Sequence, residues 1–226
     1  PGFLCSENAR HSSMNCCILP AIKKHNLTFK TKVQVKRIVK DHAGKTNQIE
    51  YSDLTSGQTK ILTAKIIILS AGAIGSTAIL LRSNLNVNNE FLGKNYMFHA
   101  GVIVAGLFPK DIGTRSGFVK QLGFSDLYYG DKEHPHKLGY AQSVPTPGPM
   151  TFAHKLHLPI PSNFSEPILK RMLLFMGTVE DIPQPSNQIK LLAEEKIKLE
   201  HSFHSYDLYR SSYYKNVLQK IIKRTG

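Results

Sequence analysis

In "NLTFKTKVQVKRIVK" the residues Leu27, Phe29, Thr31, Val33 and Val35 share one parity while lysines fall largely on the other, the period of two of a half-buried strand. "HAGK" turns the chain. "NQIEYSDL" and "TKILTA", on either side of the Ser-Gly turn "TSGQ", read as two more short strands, so residues 27–64 predict a three-stranded antiparallel meander. The next run, "KIIILSAG", has four successive apolar residues and suits a strand covered on both faces, of the kind found in the middle of a parallel sheet. After it "GSTAILLRSN" predicts a helix with Ser76 or Thr77 as N-cap and Asn84 as its stop. Upstream, "SMNCCILPAIKKH" predicts a short helix or turn closing on Pro20.

Downstream of His99 the pattern changes. "GVIVAGLF", "KLGYAQSV" and "NQIKLL" predict isolated strands separated by Pro-rich loops, and "EPILKRMLLFMG" predicts a helix with Pro167 in its first turn. A final amphipathic helix runs from about residue 205 to 224, with Leu208, Val217, Leu218, Ile221 and Ile222 as its apolar stripe and Gly226 as a cap. The shift near His99 marks a domain boundary.

The strand, turn and helix around Ser70, Ala71, Gly72 and Ala73 carry the first chemical suggestion. A turn of small residues lets another body approach the backbone, and a helix N-terminus offers unpaired N–H groups at the positive end of a dipole. Together these make a seat for an anion such as a pyrophosphate. Tight packing asks for the same small residues, and the stretch carries Gly72-x-x-Gly75 without a complete G-x-G-x-x-G.

Charge widens the list of partners. Twenty-nine Lys and Arg against 16 Asp and Glu leave a net +13 over 226 residues, which favours nucleic acid, an acidic membrane surface or a phosphorylated cofactor. The basic residues are spread along the chain, whereas a nucleic-acid surface gathers them on one face. Three cysteines, Cys5, Cys16 and Cys17, form no disulfide framework and no zinc spacing, and read as small apolar residues of a reducing, cytoplasmic compartment. The pairs His154/His157 and His201/His204 lack a third ligand set by spacing, so no metal site is expected. No apolar run reaches the roughly 20 residues needed to cross a bilayer, and the sequence from Pro1 onward shows no basic segment followed by an apolar stretch, so no signal peptide is visible.

"LPAIKKHNLTFKTKVQVKRI", "IIILSAGAIGSTAILLRS" and "FLGKNYMFH", in this order and spacing, resemble the glucose/methanol/choline (GMC) oxidoreductases, FAD-dependent enzymes that oxidise alcohols, sugars and polyols. "KQLGFSDLYYGDKEHPHKLGYAQ" and "EDIPQPSNQIKL" resemble parts of the substrate domain in the bacterial sugar and polyol dehydrogenase branch. The sequence departs from the family pattern at Thr77, where proline is usual, and at Phe98, where aspartate is frequent.

The resemblance implies an α/β (α+β) fold: a partial Rossmann-like FAD-binding domain with its meander over residues 1–98, and part of a mixed or antiparallel substrate-binding domain over residues 99–226. It implies FAD as cofactor and a small alcohol, sugar or polyol as substrate, with the electron acceptor unassigned and no nucleic acid or transmembrane segment. In the family a histidine base removes the hydroxyl proton while hydride passes to the flavin. By the resemblance Val35 lies beside the adenine, Ala71, Gly72 and Ser76 near the ADP half of FAD, and Asn95 and His99 at the cofactor or the domain junction. The family's G-x-G-x-x-G and its catalytic histidine segment match nothing here, so no catalytic residue is assigned and the chain is expected to be an internal fragment of such an enzyme, inactive by itself. The alternatives are a non-catalytic remnant of one, or a basic nucleic-acid-binding protein.

Overall fold

The meander forms as the alternation predicts. In the computed structural model, which describes residues 11–24, 27–85, 89–113, 122–157, 161–193 and 196–225, β1 (Val33–Lys40), β2 (Thr46–Asp53) and β3 (Thr59–Thr63) are antiparallel in the order β1-β2-β3. Aspartates build both turns. The Oδ1 of Asp41 accepts the N–H groups of Ala43 and Lys45 at 3.0 and 2.8 Å, and that of Asp53 accepts those of Thr55 and Ser56 at 3.0 and 3.2 Å.

Helix α2 (Gly72–Ser83) packs on β1, burying Ala78 and Ile79 in the same core that holds Ile38. Its last residue ties it to the strand: Ser83 Oγ donates to Ile79 O at 2.6 Å and accepts the Ile38 N–H at 2.8 Å. An edge strand has backbone donors without a ladder partner, and this hydroxyl satisfies one of them. Asn84, at φ 43°, ends the helix in the left-handed conformation, as predicted.

By internal contacts the chain divides into two units. Among the described residues, one holds those of 3–96 and 183–201, and the other those of 97–182 and 202–226. The first unit therefore contains, besides the meander, α1 (Leu19–Lys24), α2 and the hairpin of β8 (Gln188–Leu191) with β9 (Ile197–Glu200). Residues 93–96 run along β8: Ile189 N–H donates to Gly93 O at 2.7 Å and Tyr96 N–H to Asn187 O at 3.0 Å.

In the second unit β4 (Ala100–Leu107), β5 (Gly123–Phe124), β6 (Tyr140–Val144) and β7 (Met172–Val179) form an antiparallel sheet in the order β4-β7-β6-β5. Helix α5 (Ser205–Arg224) lies across one face and buries Tyr214, Leu218 and Ile222 against Val104, Ala141, Phe175 and Val179. Helices α3 (Pro149–Leu156) and α4 (Ser162–Lys170) pack on each other. A buried ion pair anchors the start of α5: Arg210 donates to Asp207 Oδ1, to Lys137 O and to Glu180 O at 2.5, 2.8 and 2.7 Å, and Ile182 N–H donates to Asp207 Oδ2 at 3.1 Å.

Several expectations are corrected. Residues 65–70 enter no sheet, and Ile66 and Ile68 are 79% and 84% exposed, because an apolar run specifies burial without supplying the strand that would pair with it. The first strand starts at Val33, leaving Leu27 and Phe29 exposed. The helix α2 opens at Gly72 with Ala71 as N-cap, so neither Ser76 nor Thr77 caps it. Pro20 does not close the upstream helix. A π-helical turn over Met14–Ile18 runs directly into α1, which continues through Pro20 to Lys24. The run after Pro167 is split: α4 stops at Lys170 and "MLLFMGTV" is strand β7, an ambiguity inherent in short, continuous apolar runs. Along α5 the buried aromatic is Tyr214, while Leu208 is half exposed. Cys5 and Gly226 lie outside the described residues, and Cys16 and Cys17 are exposed rather than packed.

Candidate functional site

Ala71, Gly72 and Ser76 come together at the start of α2. Gly72 has φ +76°, a left-handed value that an L side chain adopts only with strain, and a Cβ placed there would meet no atom within 4 Å. Ala71 supplies no capping oxygen, no side chain caps the first turn, and that turn carries no acidic residue. Ser76 instead turns its Oγ back to accept the Ala71 N–H at 3.0 Å. A Cβ on Gly75 would stand 3.3 Å from that of Ala71, so the missing side chain keeps the turn tight. The result is an exposed helix N-terminus with open space over Gly72 and no competing carboxylate in its first turn. Such a place suits an anionic group approaching the backbone.

The other predicted residues lie elsewhere. Val35, half-buried, sits on β1 opposite Tyr51, immediately before a bulge at Lys36. Asn95 has φ +57° and stands in the strap along β8, between Lys94, which bridges to Gln188, and Tyr96. His99 is exposed in the second unit, where its carbonyl accepts the Gly101 N–H at 2.8 Å, and the neighbouring Phe98 N–H donates to Asp181 Oδ2 at 2.9 Å.

Comparison with known proteins adds a likeness over the first part of the chain. Residues 2–101 match the model of the GMC oxidoreductases. That segment, a little under half of the chain, is similar to the GMC oxidoreductases. An enzyme of Streptomyces lividus named 6'''-hydroxyparomomycin C oxidase is 25% identical over 107 residues, which are 47% of this chain and 19% of that enzyme. The match thus spans about 19% of the relative's length.

The N-terminal domain of the GMC oxidoreductases is their FAD-binding region, which makes FAD the implied cofactor. The residues present fit part of that ligand. The open position over Gly72 and the uncapped amides of α2 suit phosphate oxygens, since a side chain at 72 would fill the space they need. The mixed α/β architecture with its antiparallel sheets agrees with a partial FAD-binding domain of this family.

One feature of the GMC segment was missed from sequence. A cleft of about 450 Å³ is lined by Lys36, Arg37, Glu50, Ser52, Thr59 and Arg82, with Leu191 and Ala193. Adjacent residues of a regular strand point to opposite faces, yet Lys36 and Arg37 both line it, because the bulge at Lys36 breaks the alternation. Arg37 pairs with Glu50 across the two strands at 2.9 Å. The adjacent "KR" in an otherwise alternating strand was the available signal.

Proposed function

We propose that this chain is part of an FAD-dependent oxidoreductase that oxidises CH–OH groups of alcohols, sugars or polyols, with residues 1–98 belonging to its FAD-binding domain and residues 99–226 to its substrate-binding domain. The observation that carries the reading is the start of α2: within a GMC segment, an exposed, uncapped helix N-terminus with open space over a left-handed glycine. The relative from Streptomyces lividus, an oxidase by name of a hydroxy compound, supports the choice of substrate class.

In this reading bound FAD supplies hydride-accepting chemistry, and the chain's own residues bind and orient it. The N–H groups of the first turn of α2 hold the pyrophosphate. Ser76 keeps the Ala71 amide engaged, so the turn stays in the shape that leaves those N–H groups outward. Val35 offers backbone to the adenine, and Asn95 and His99 border the cofactor or the domain junction. No residue here is assigned to proton removal, and the chain alone is expected to turn over no substrate.

Titrating the chain with FAD and following flavin fluorescence tests the proposal. Saturable binding that ADP competes away is expected. Absence of saturable binding, or binding that ADP leaves unchanged, overturns the assignment of α2 to the ADP half.

A further inference from the structure

The N-terminal end of the first unit holds a thiol and an imidazole in contact. His11 Nδ1 lies 2.9 Å from Cys16 Sγ, and both side chains are exposed. The contact is built by the chain around it. Ser12 donates from its backbone N and from its Oγ to Asn15 Oδ1 at 2.7 and 2.9 Å, and the Cys16 N–H donates to Ser12 O at 3.0 Å. These bonds fold residues 11 and 12 back over the π-helical turn Met14–Ile18, so the imidazole meets the sulfur. Asn15 Oδ1 lies 3.4 Å from the same sulfur. Cys17 is the neighbouring residue in the same turn and is also exposed. Its Cα is about 3.8 Å from that of Cys16 by covalent geometry, short of the usual span of a disulfide, so the two remain separate thiols.

We propose that Cys16 is a covalent modification site for low-molecular-weight disulfides, with His11 as its proton acceptor. A nucleophile held at hydrogen-bond distance from a base is the arrangement that activates a thiol. The exchange balances without a further reagent. The Cys16 proton moves to His11 Nδ1 as Sγ attacks one sulfur of R–S–S–R. The S–S bond breaks, the departing RS⁻ recovers the proton from the imidazolium, and the products are Cys16–S–S–R and RSH. Cys16 is thereby oxidised and one R–S group reduced. His11 acts through the thiol and so positions and deprotonates it.

The test uses 5,5'-dithiobis(2-nitrobenzoate) on the intact 226-residue chain, with peptide mapping to count adducts at Cys16 and Cys17 over time. Cys17 serves as the internal control, since it shares the turn and the exposure. Cys16 is expected to react at least about tenfold faster, the low end of what a positioned acid or base provides. His11→Phe, which keeps a flat ring and removes the nitrogen, is expected to bring the two rates together. Added imidazole is expected to restore the difference in His11→Gly. In guanidinium the ratio is expected to fall to one. Equal rates at the two cysteines in the folded chain, or a ratio that survives His11→Phe, overturns the proposal.

Discussion

Two glycines with nearly the same backbone angle give a sharp test of the α2 site. Gly72 and Gly93 have φ +76° and +80°, so replacing either by alanine costs roughly 1–2 kcal/mol of left-handed strain. Their surroundings differ. A Cβ at 72 meets nothing within 4 Å, whereas a Cβ at 93 stands 2.6 Å from Ile189 O. That carbonyl cannot withdraw cheaply, because the N–H of Ile189 is bonded to Gly93 O at 2.7 Å, and giving up such a bond costs a further ~0.5–1.5 kcal/mol. Gly72→Ala should therefore lose about 1–2 kcal/mol in urea unfolding and Gly93→Ala about 1.5–3.5 kcal/mol. Ligand binding should rank them in the opposite order. The methyl at 72 occupies the space proposed for the pyrophosphate, so FAD affinity should fall at least about tenfold, a loss of ~1.4 kcal/mol. Folded Gly93→Ala should bind within a few-fold of the wild type. Urea denaturation and flavin fluorescence titration measure the two quantities separately. A Gly72→Ala chain with unchanged FAD affinity would refute the cradle, and one with unchanged stability would refute the strain argument.

Other consequences concern stability. Arg210→Met leaves Asp207 and two backbone carbonyls without their donor, and should cost about 3–5 kcal/mol in denaturant unfolding, as removal of one partner from a buried ion pair does; a loss below about 1 kcal/mol would contradict this account of α5. Glu200 bonds Lys190 and Lys198, at 2.5 and 2.8 Å, and those bonds hold its carboxyl down at about 2 from an ordinary 4.5. The group's stabilisation is thus complete above the ordinary carboxylate range and is lost as pH falls from about 4.5 toward 2, so Glu200→Gln should flatten the acid limb of the unfolding curve, with circular dichroism against pH as the measurement. Burial pushes the Tyr214 hydroxyl up to about 12, so above pH 10 the unfolded chain ionises first; stability should fall between pH 10 and 12, and Tyr214→Phe should reduce that fall, followed by tyrosinate absorbance.

What was legible in the sequence was local. Alternation fixed the meander, asparagine at position 84 stopped α2, and α5 was readable over its whole length because twenty residues of helical period leave little ambiguity. The family was readable from word order, because backbone-approach turns and strand-to-helix junctions are made by contiguous residues. Ala71, Gly72 and Ser76 do stand together at the start of α2, although the N-cap was misplaced.

Tertiary structure alone decided the rest, since it depends on which residues distant in sequence become neighbours. "IIIL" asks for burial, but a strand exists only where another pairs with it, and residues 65–70 belong to none of the described sheets. "MLLFMGTV" became a strand because β4 and β6 flank it on both sides. The hairpin of residues 188–200 joined the first unit across some ninety residues of sequence because Gly93 has no side chain to hold Ile189 O away. Lys36 and Arg37 share a cleft because of one bulge, whose register belongs to the pairing of two strands rather than to either strand alone.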